Sequence, residues 1–214
     1  MIGFYNYSVI VTYLGVAASL IGIALSCEGR FDAAIFCLAL AGACDACDGK
    51  IARAMKNRTQ EMEIFGVQID SLCDMVCFGV TPAILCYQMG MNQPWGVACA
   101  IFFVLCGAIR LAYFNMMEEK KHLNPDKAEK QKYYHGLPIT TITIIFPFVY
   151  MFKNLFVKQF GDDRFPILLA AMLIIVGFLY ILNFRLKKPN NLQLGLLMLL
   201  VAAIFLNIFV FKLF

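Results

Sequence analysis

Seven apolar runs, each long enough or nearly long enough to cross a bilayer, dominate the chain. They lie near residues 7–27, 31–56, 63–88, 94–117, 136–156, 165–184 and 191–212. Lipid offers backbone N–H and C=O groups no partners, so such runs must close their own hydrogen bonds as helices. Composition leaves no soluble alternative. Of 214 residues, 61% are hydrophobic and 15% charged, more apolar surface than a soluble domain of this length can bury. The expected fold is all-α: a polytopic membrane bundle of about six to eight transmembrane helices, forming one membrane-embedded domain over residues 1–214. The first run has no basic flank ahead of it and no small-residue cleavage site after it, and reads as a retained helix.

Lys and Arg set the orientation. Lys50, Arg53, Lys56 and Arg58 follow the second run. Lys120, Lys121, Lys127, Lys130 and Lys132 follow the fourth, and Arg185, Lys187 and Lys188 follow the sixth. The alternate side holds Arg30, Lys153, Lys158, Arg164 and Lys212, with Arg110 inside a helix. The positive-inside rule puts the N-terminus and the three basic loops in the cytoplasm, and the C-terminus outside if the seventh run spans. The net charge of +4 reflects this topology, and no nucleic-acid partner is expected. The polar stretch 118–135 reads as a solvated connector or as a cap on the anionic inner leaflet.

Nine cysteines lie in or beside the apolar runs, unlike a secreted disulfide framework. Cys44 and Cys47 form a CxxC, but no second pair or His cluster supplies the four ligands of a zinc site. They read as small apolar fillers.

Four aspartates break the apolar pattern. Asp45 and Asp48 end the second run, and Asp70 and Asp74 open the third. At 1.5 Å per residue Asp45 lies about 21 Å from the outer end of its helix, in the inner part of a ~30 Å hydrocarbon layer. The turn centres near Gln60, so two antiparallel neighbours bring both pairs to similar depth near the cytoplasmic surface. At 100° per residue, Asp45, Asp48, Gly49, Ala52 and Arg53 share an arc of roughly 140°, and Gly66, Asp70 and Asp74 form a single i, i+4, i+8 stripe. Small residues there leave room for a ligand to approach the backbone, and they also let helices pack closely. Four carboxylates cannot sit together ionised at low dielectric, and Arg53 offsets one charge at most. An all-oxygen donor set selects a hard cation, Mg²⁺, Mn²⁺ or Ca²⁺. Paired carboxylates on two helices suit two such ions, about 3.5–4 Å apart, acting on a phosphoryl displacement.

The pattern Asp45-x2-Asp48-Gly49-x2-Ala52-Arg53, then twelve residues, then Gly66-x3-Asp70-x3-Asp74 resembles the signature of the CDP-alcohol phosphotransferases. The stretches "IDSLCDMVCFGVTPA" (69–83), "CGAIRLAYFN" (106–115) and "HGLPIT" (135–140) further resemble the phosphatidylserine synthases of that family. Tyr113 stands where that subfamily often carries Arg, and the last two runs match by hydrophobicity alone.

The resemblance implies a homodimeric helix bundle in the cell membrane with its active site facing the cytoplasm. Asp45, Asp48, Asp70 and Asp74 would hold two divalent ions, Mg²⁺ or Mn²⁺. Asp48, Gly49, Ala52, Arg53, Gly66 and Asp70 would bind CDP-diacylglycerol, and Asp74 would serve as general base toward L-serine, giving phosphatidylserine and CMP. Arg110 reads equally as a snorkelling or aspartate-pairing cation and as a partner for the lipid phosphate or the serine carboxylate. Asn115 either hydrogen-bonds the acceptor or terminates the fourth helix. Pro138 fits the first turn of the fifth. Two rival readings remain: a synthase of phosphatidylglycerol phosphate or an inositol lipid, sharing every signature residue, and a divalent-cation transporter. The cytoplasm-shifted depth of the aspartates and the added Gly/Arg pattern weigh against transport.

Overall fold

A computed structural model describes residues 3–4, 7–55, 59–123, 133–187 and 203–204, with backbone only at Arg53, 121–123, 133–135 and 185–187. The principal α-helices among the described residues are, in order, α1 (Tyr7–Cys27), α2 (Phe31–Ala54), α3 (Gln60–Asp74), α4 (Thr81–Gln88), α5 (Pro94–Leu123), α6 (Ile142–Met151), α7 (Lys153–Phe160) and α8 (Phe165–Ile181). A π-helical turn, Met75–Val80, joins α3 to α4. Two three-residue strands, β1 (Tyr133–His135) and β2 (Arg185–Lys187), pair antiparallel with Tyr133 opposite Lys187.

The first helix is inside out relative to a soluble amphipathic helix. Its small residues Ser8, Gly15, Ser19, Gly22 and Ser26 are buried, while Tyr7, Ile10, Leu14, Leu20 and Ile21 are exposed. Lipid is as apolar as leucine, so large side chains gain little by turning inward, and small ones let backbones approach. The partner is α2. A Cβ on Gly22 would stand 3.0 Å from Cys37 Cβ and 3.1 Å from the Ala34 carbonyl oxygen. The core beyond that seam is built from Ile35 and Leu38 of α2, Phe78, Phe103 of α5, Phe146 of α6 and Leu173 of α8, all buried.

α3 starts at Gln60, three residues earlier than its apolar run. Thr59 accepts a hydrogen bond from the Met62 N–H at 3.3 Å, and Glu61 and Glu63 occupy the first turn, where the helix dipole favours acids. The π turn has a local cause in Pro82, the second residue of α4. Proline cannot donate to the preceding turn and its ring crowds it. The wider turn absorbs that defect, with the Thr81 hydroxyl donating to the Val76 carbonyl at 2.9 Å.

Four helical segments are long and apolar enough to cross a membrane: Tyr7–Cys27, Gln60–Gln88, Pro94–Lys120 and Asp162–Ile181. A fifth arises if α6 and α7, bent by 47° where they meet, form one span. α2 has 24 residues but is too charged to join them, because Asp32, Asp45, Asp48, Lys50 and Arg53 all lie on it. The count among the described residues is therefore four or five, short of six to eight. The seventh run, 191–212, lies outside the described residues except for Ala203 and Ile204. α5 continues six residues past its apolar run, to Leu123. Pro138 stands just before a 3₁₀ turn, Ile139–Thr141, that leads into α6.

Gly136 adopts φ +73°, and a Cβ there would meet the carbonyl oxygens of Leu182 and Tyr180 at 3.1 and 3.2 Å. Only glycine takes that conformation at so little cost. The glycine lets the chain lie across the end of α8, where Leu137 N–H donates to the Leu179 carbonyl at 3.3 Å and Gly136 N–H to Phe184 at 2.7 Å. Carbonyls left unpaired at the helix end are satisfied this way.

Candidate active site

The site forms between α2 and α3. Both pack against α1, while among the described residues their own backbones approach each other at few points. Carboxylates fill the resulting space. One oxygen from each of Asp45, Asp70 and Asp74 lies within 4.8 Å of the other two. Three carboxylates this close repel one another when all are ionised, so a proton or a cation is needed among them. Three converging hard oxygens suit Mg²⁺ or Mn²⁺ and offer nothing to a soft metal.

Asp48 stands apart from that trio. It is 5% exposed, and its Oδ2 accepts a 2.6 Å hydrogen bond from the Thr12 hydroxyl of α1. Gly49 and Ala52 of α2 and Gly66 of α3 are half-buried, so small residues flank the carboxylates. Arg53 sits on α2, with its side chain outside the described residues.

Of the two α5 residues expected at the site, Asn115 meets α3 and Arg110 meets the segment before α6. Arg110 is buried, and its Nε donates to the Leu137 carbonyl at 2.9 Å. With Tyr113 and Ile109 it lines a cleft of about 170 Å³ closed by Tyr180, Leu182 and Asn183. One turn earlier, a Cβ on Gly107 would lie 4.0 Å from Met75 Sδ, so this part of α5 adjoins the residue that follows Asp74. Asn115 does not end its helix, since α5 runs on to Leu123. Its Oδ1 accepts from the Ser71 hydroxyl at 2.6 Å, and its Nδ2 donates to Gln68 Oε1 at 3.3 Å. The side chain therefore clasps α3 between Gln68 and Ser71, beside Asp70.

Reading the sequence for charge overlooked Thr12, Gln68 and Ser71. Thr12 carried a faint signal in the three- and four-residue spacing of Ser8, Thr12, Gly15, Ser19, Gly22 and Ser26, which marks the inward face of α1. Nothing local marks Gln68 or Ser71, because their partner is more than forty residues away.

Over residues 5–176 the chain matches the model of the CDP-alcohol phosphatidyltransferase family, and it belongs to that family. Among its relatives, a CDP-diacylglycerol–serine O-phosphatidyltransferase of Saccharomyces cerevisiae is 37% identical over 150 residues, covering 66% of this chain and 51% of the yeast protein. A protein of the same name from Helicobacter pylori is 28% identical over 166 residues, covering 77% of this chain and 64% of that protein. An archaetidylserine synthase of Methanothermobacter thermautotrophicus is 34% identical over 109 residues, covering 50% of this chain and 46% of that protein. The chain thus spans about half to two thirds of the length of these curated relatives.

Proposed function

We propose that the chain transfers the phosphatidyl group of CDP-diacylglycerol to the hydroxyl of L-serine, forming phosphatidylserine and CMP. The observation that carries the chemistry is the meeting of Asp45, Asp70 and Asp74 between two helices of the family's motif. Serine as acceptor is supported by the names of the relatives.

Asp45, Asp48, Asp70 and Asp74 would hold a pair of divalent ions, Mg²⁺ or Mn²⁺, which would supply charge neutralisation to the diphosphate. The chain's own residues do the rest. Gly49, Ala52 and Gly66 let the nucleotide approach the backbones of α2 and α3, and Arg53 adds positive charge for the diphosphate. Asp74 accepts the proton of the serine hydroxyl as that oxygen attacks the phosphorus bearing the diacylglycerol. The bond from that phosphorus to the bridging diphosphate oxygen breaks, and CMP departs. Arg110 is the candidate counter-ion for the serine carboxylate, because it is a buried cation lining a cleft and stands one turn from Gly107, which approaches Met75.

The same reading places the chain in the cell membrane as a multi-pass, homodimeric protein. Counting α2 with the five candidate spans gives six membrane-depth elements, and the basic loops put the carboxylates at the cytoplasmic side. The lipid tails of the donor then stay in the bilayer while its head enters from the cytoplasm.

The test is product identity. CDP-diacylglycerol, Mn²⁺ or Mg²⁺ and one alcohol at a time, from serine, glycerol 3-phosphate and inositol, are supplied to the purified protein, and the lipid is resolved by mass. Phosphatidylserine with stoichiometric CMP is expected. Turnover of another alcohol while serine stays inert would refute the acceptor and leave the phosphotransfer reading standing.

A further inference from the structure

We propose that Thr12 on α1 is a positioning residue for the acidic site: its hydroxyl fixes the Asp48 carboxylate and thereby raises the affinity of the aspartate cluster for a divalent cation. The inference rests on the metal-site reading given above.

Threonine in an apolar helix ordinarily returns its proton to a carbonyl of its own preceding turn. Ser26 behaves this way on the same helix, donating to the Ile23 carbonyl at 2.7 Å. Thr12 has that option too, with the Ser8 carbonyl at 3.1 Å, but its shorter contact, 2.6 Å, is to Asp48 Oδ2. A hydroxyl has one proton, and 2.5–2.7 Å is the usual length of a charge-assisted O–H···O⁻ bond. The proton is thus directed from α1 across to α2.

Asp48 needs such a restraint. It is 5% exposed and close enough to Asp45, Asp70 and Asp74 to repel each of them. A free carboxylate there would turn away from the cluster or draw a proton of its own. One oxygen held by Thr12 leaves the other at a defined position beside the trio. α1 is well placed for this role because it packs on both α2 and α3. Its inward face also delivers a hydroxyl at the depth of the aspartates. Residues that orient metal-binding carboxylates through the oxygen left over typically change metal affinity about ten- to a hundredfold when removed.

The experiment uses the full chain in nanodiscs without substrate and reads Mn²⁺ binding from the electron paramagnetic resonance signal of the free ion. Thr12→Val keeps the side-chain shape and removes the proton, and is expected to weaken Mn²⁺ binding at least about tenfold. Thr12→Ser keeps the proton and is expected to stay within about threefold of the unmodified chain. In an Asp48→Ala background Thr12→Val should add nothing, because no side-chain acceptor is left for the Thr12 hydroxyl at position 48 and the two changes remove one interaction. Should Thr12→Val fail to fold, Thr12→Cys, of similar volume and a weak donor, carries the same expectation. Unchanged Mn²⁺ affinity in Thr12→Val, or additive losses in the double variant, would overturn the role of Thr12 alone. Absence of Mn²⁺ binding in the unmodified chain would overturn the metal-site reading and this inference with it.

Discussion

The Ser71 hydroxyl of α3 donates to Asn115 Oδ1 of α5 at 2.6 Å, and Ser71 follows Asp70 directly in the chain. A hydrogen bond between two helices thus sits next to a candidate metal ligand. The second contact of Asn115, to Gln68 at 3.3 Å, fixes the amide plane, so α3 is held against rotation about its own axis. The orientation of its carboxylates depends on a residue that need not touch substrate.

Asn115→Leu is therefore expected to lower turnover at least about tenfold, as outer supports of metal ligands do, and to raise the divalent-ion requirement. The requirement for serine should be unchanged. Steady-state kinetics with metal and serine varied separately read the difference. A rise in the serine requirement alone would instead make Asn115 an acceptor contact.

Chelation is expected to abolish transfer, and Mn²⁺ or Mg²⁺ to restore it, because Asp45, Asp70 and Asp74 converge within 4.8 Å. CMP release is the measurement. Full activity in excess chelator, with retained metal excluded by elemental analysis, would eliminate the metal centre.

Asp74→Asn keeps the volume of the side chain and loses its basicity. Loss of a general base alone lowers the rate about a hundredfold or more, and the variant should still fold because α3 keeps its cap at Thr59. Near-normal turnover in the folded variant would remove Asp74 from proton transfer.

Arg110→Ala removes a charged contact worth about 1.5–3 kcal/mol, so the serine requirement should rise about ten- to a hundredfold. A rise in the CDP-diacylglycerol requirement with serine unaffected would assign Arg110 to the lipid phosphate. Thermal unfolding belongs in the same experiment, since Arg110 also holds the Leu137 carbonyl.

Cysteine-accessibility labelling in a cysteine-free background should find positions 57–60 and 122–132 on the cytoplasmic side and 90–94 outside. Outward labelling of 122–132 would invert the orientation read from the basic loops.

The apolar runs and the aspartate spacing were legible in the sequence because each is a local pattern: run length reports helices, and i, i+4 spacing reports a face. What the spacing does not contain is the contact between faces. Asp48 shares an arc with Asp45, yet the structure assigns it a different partner, Thr12, thirty-six residues away. Asn115 reads from the sequence as an acceptor contact or a helix end, but its side chain hydrogen-bonds to α3 and the helix continues. α2 illustrates the reverse case. Its length reads as a span, while its charges keep it out of the set of helices apolar enough by composition to cross a membrane.

The π turn at Met75–Val80 bears on which changes of length the chain tolerates. α3 before it presents carboxylates to the site, and α4 after it presents Leu85 and Cys86, both fully buried, to the core. The wide turn carries one residue more than an α turn through about the same rotation, so the angular relation between those two surfaces does not depend on the extra residue. Deleting one residue within 75–80 would therefore restore ordinary α spacing and leave Asp70 and Asp74 facing Asp45. A deletion between Asp70 and Asp74, where the helix is ordinary α, has no such slack and would turn one carboxylate about 100° from the other. The chain shortened within 75–80 is expected to keep Mn²⁺ binding, and the chain shortened between Asp70 and Asp74 to lose it.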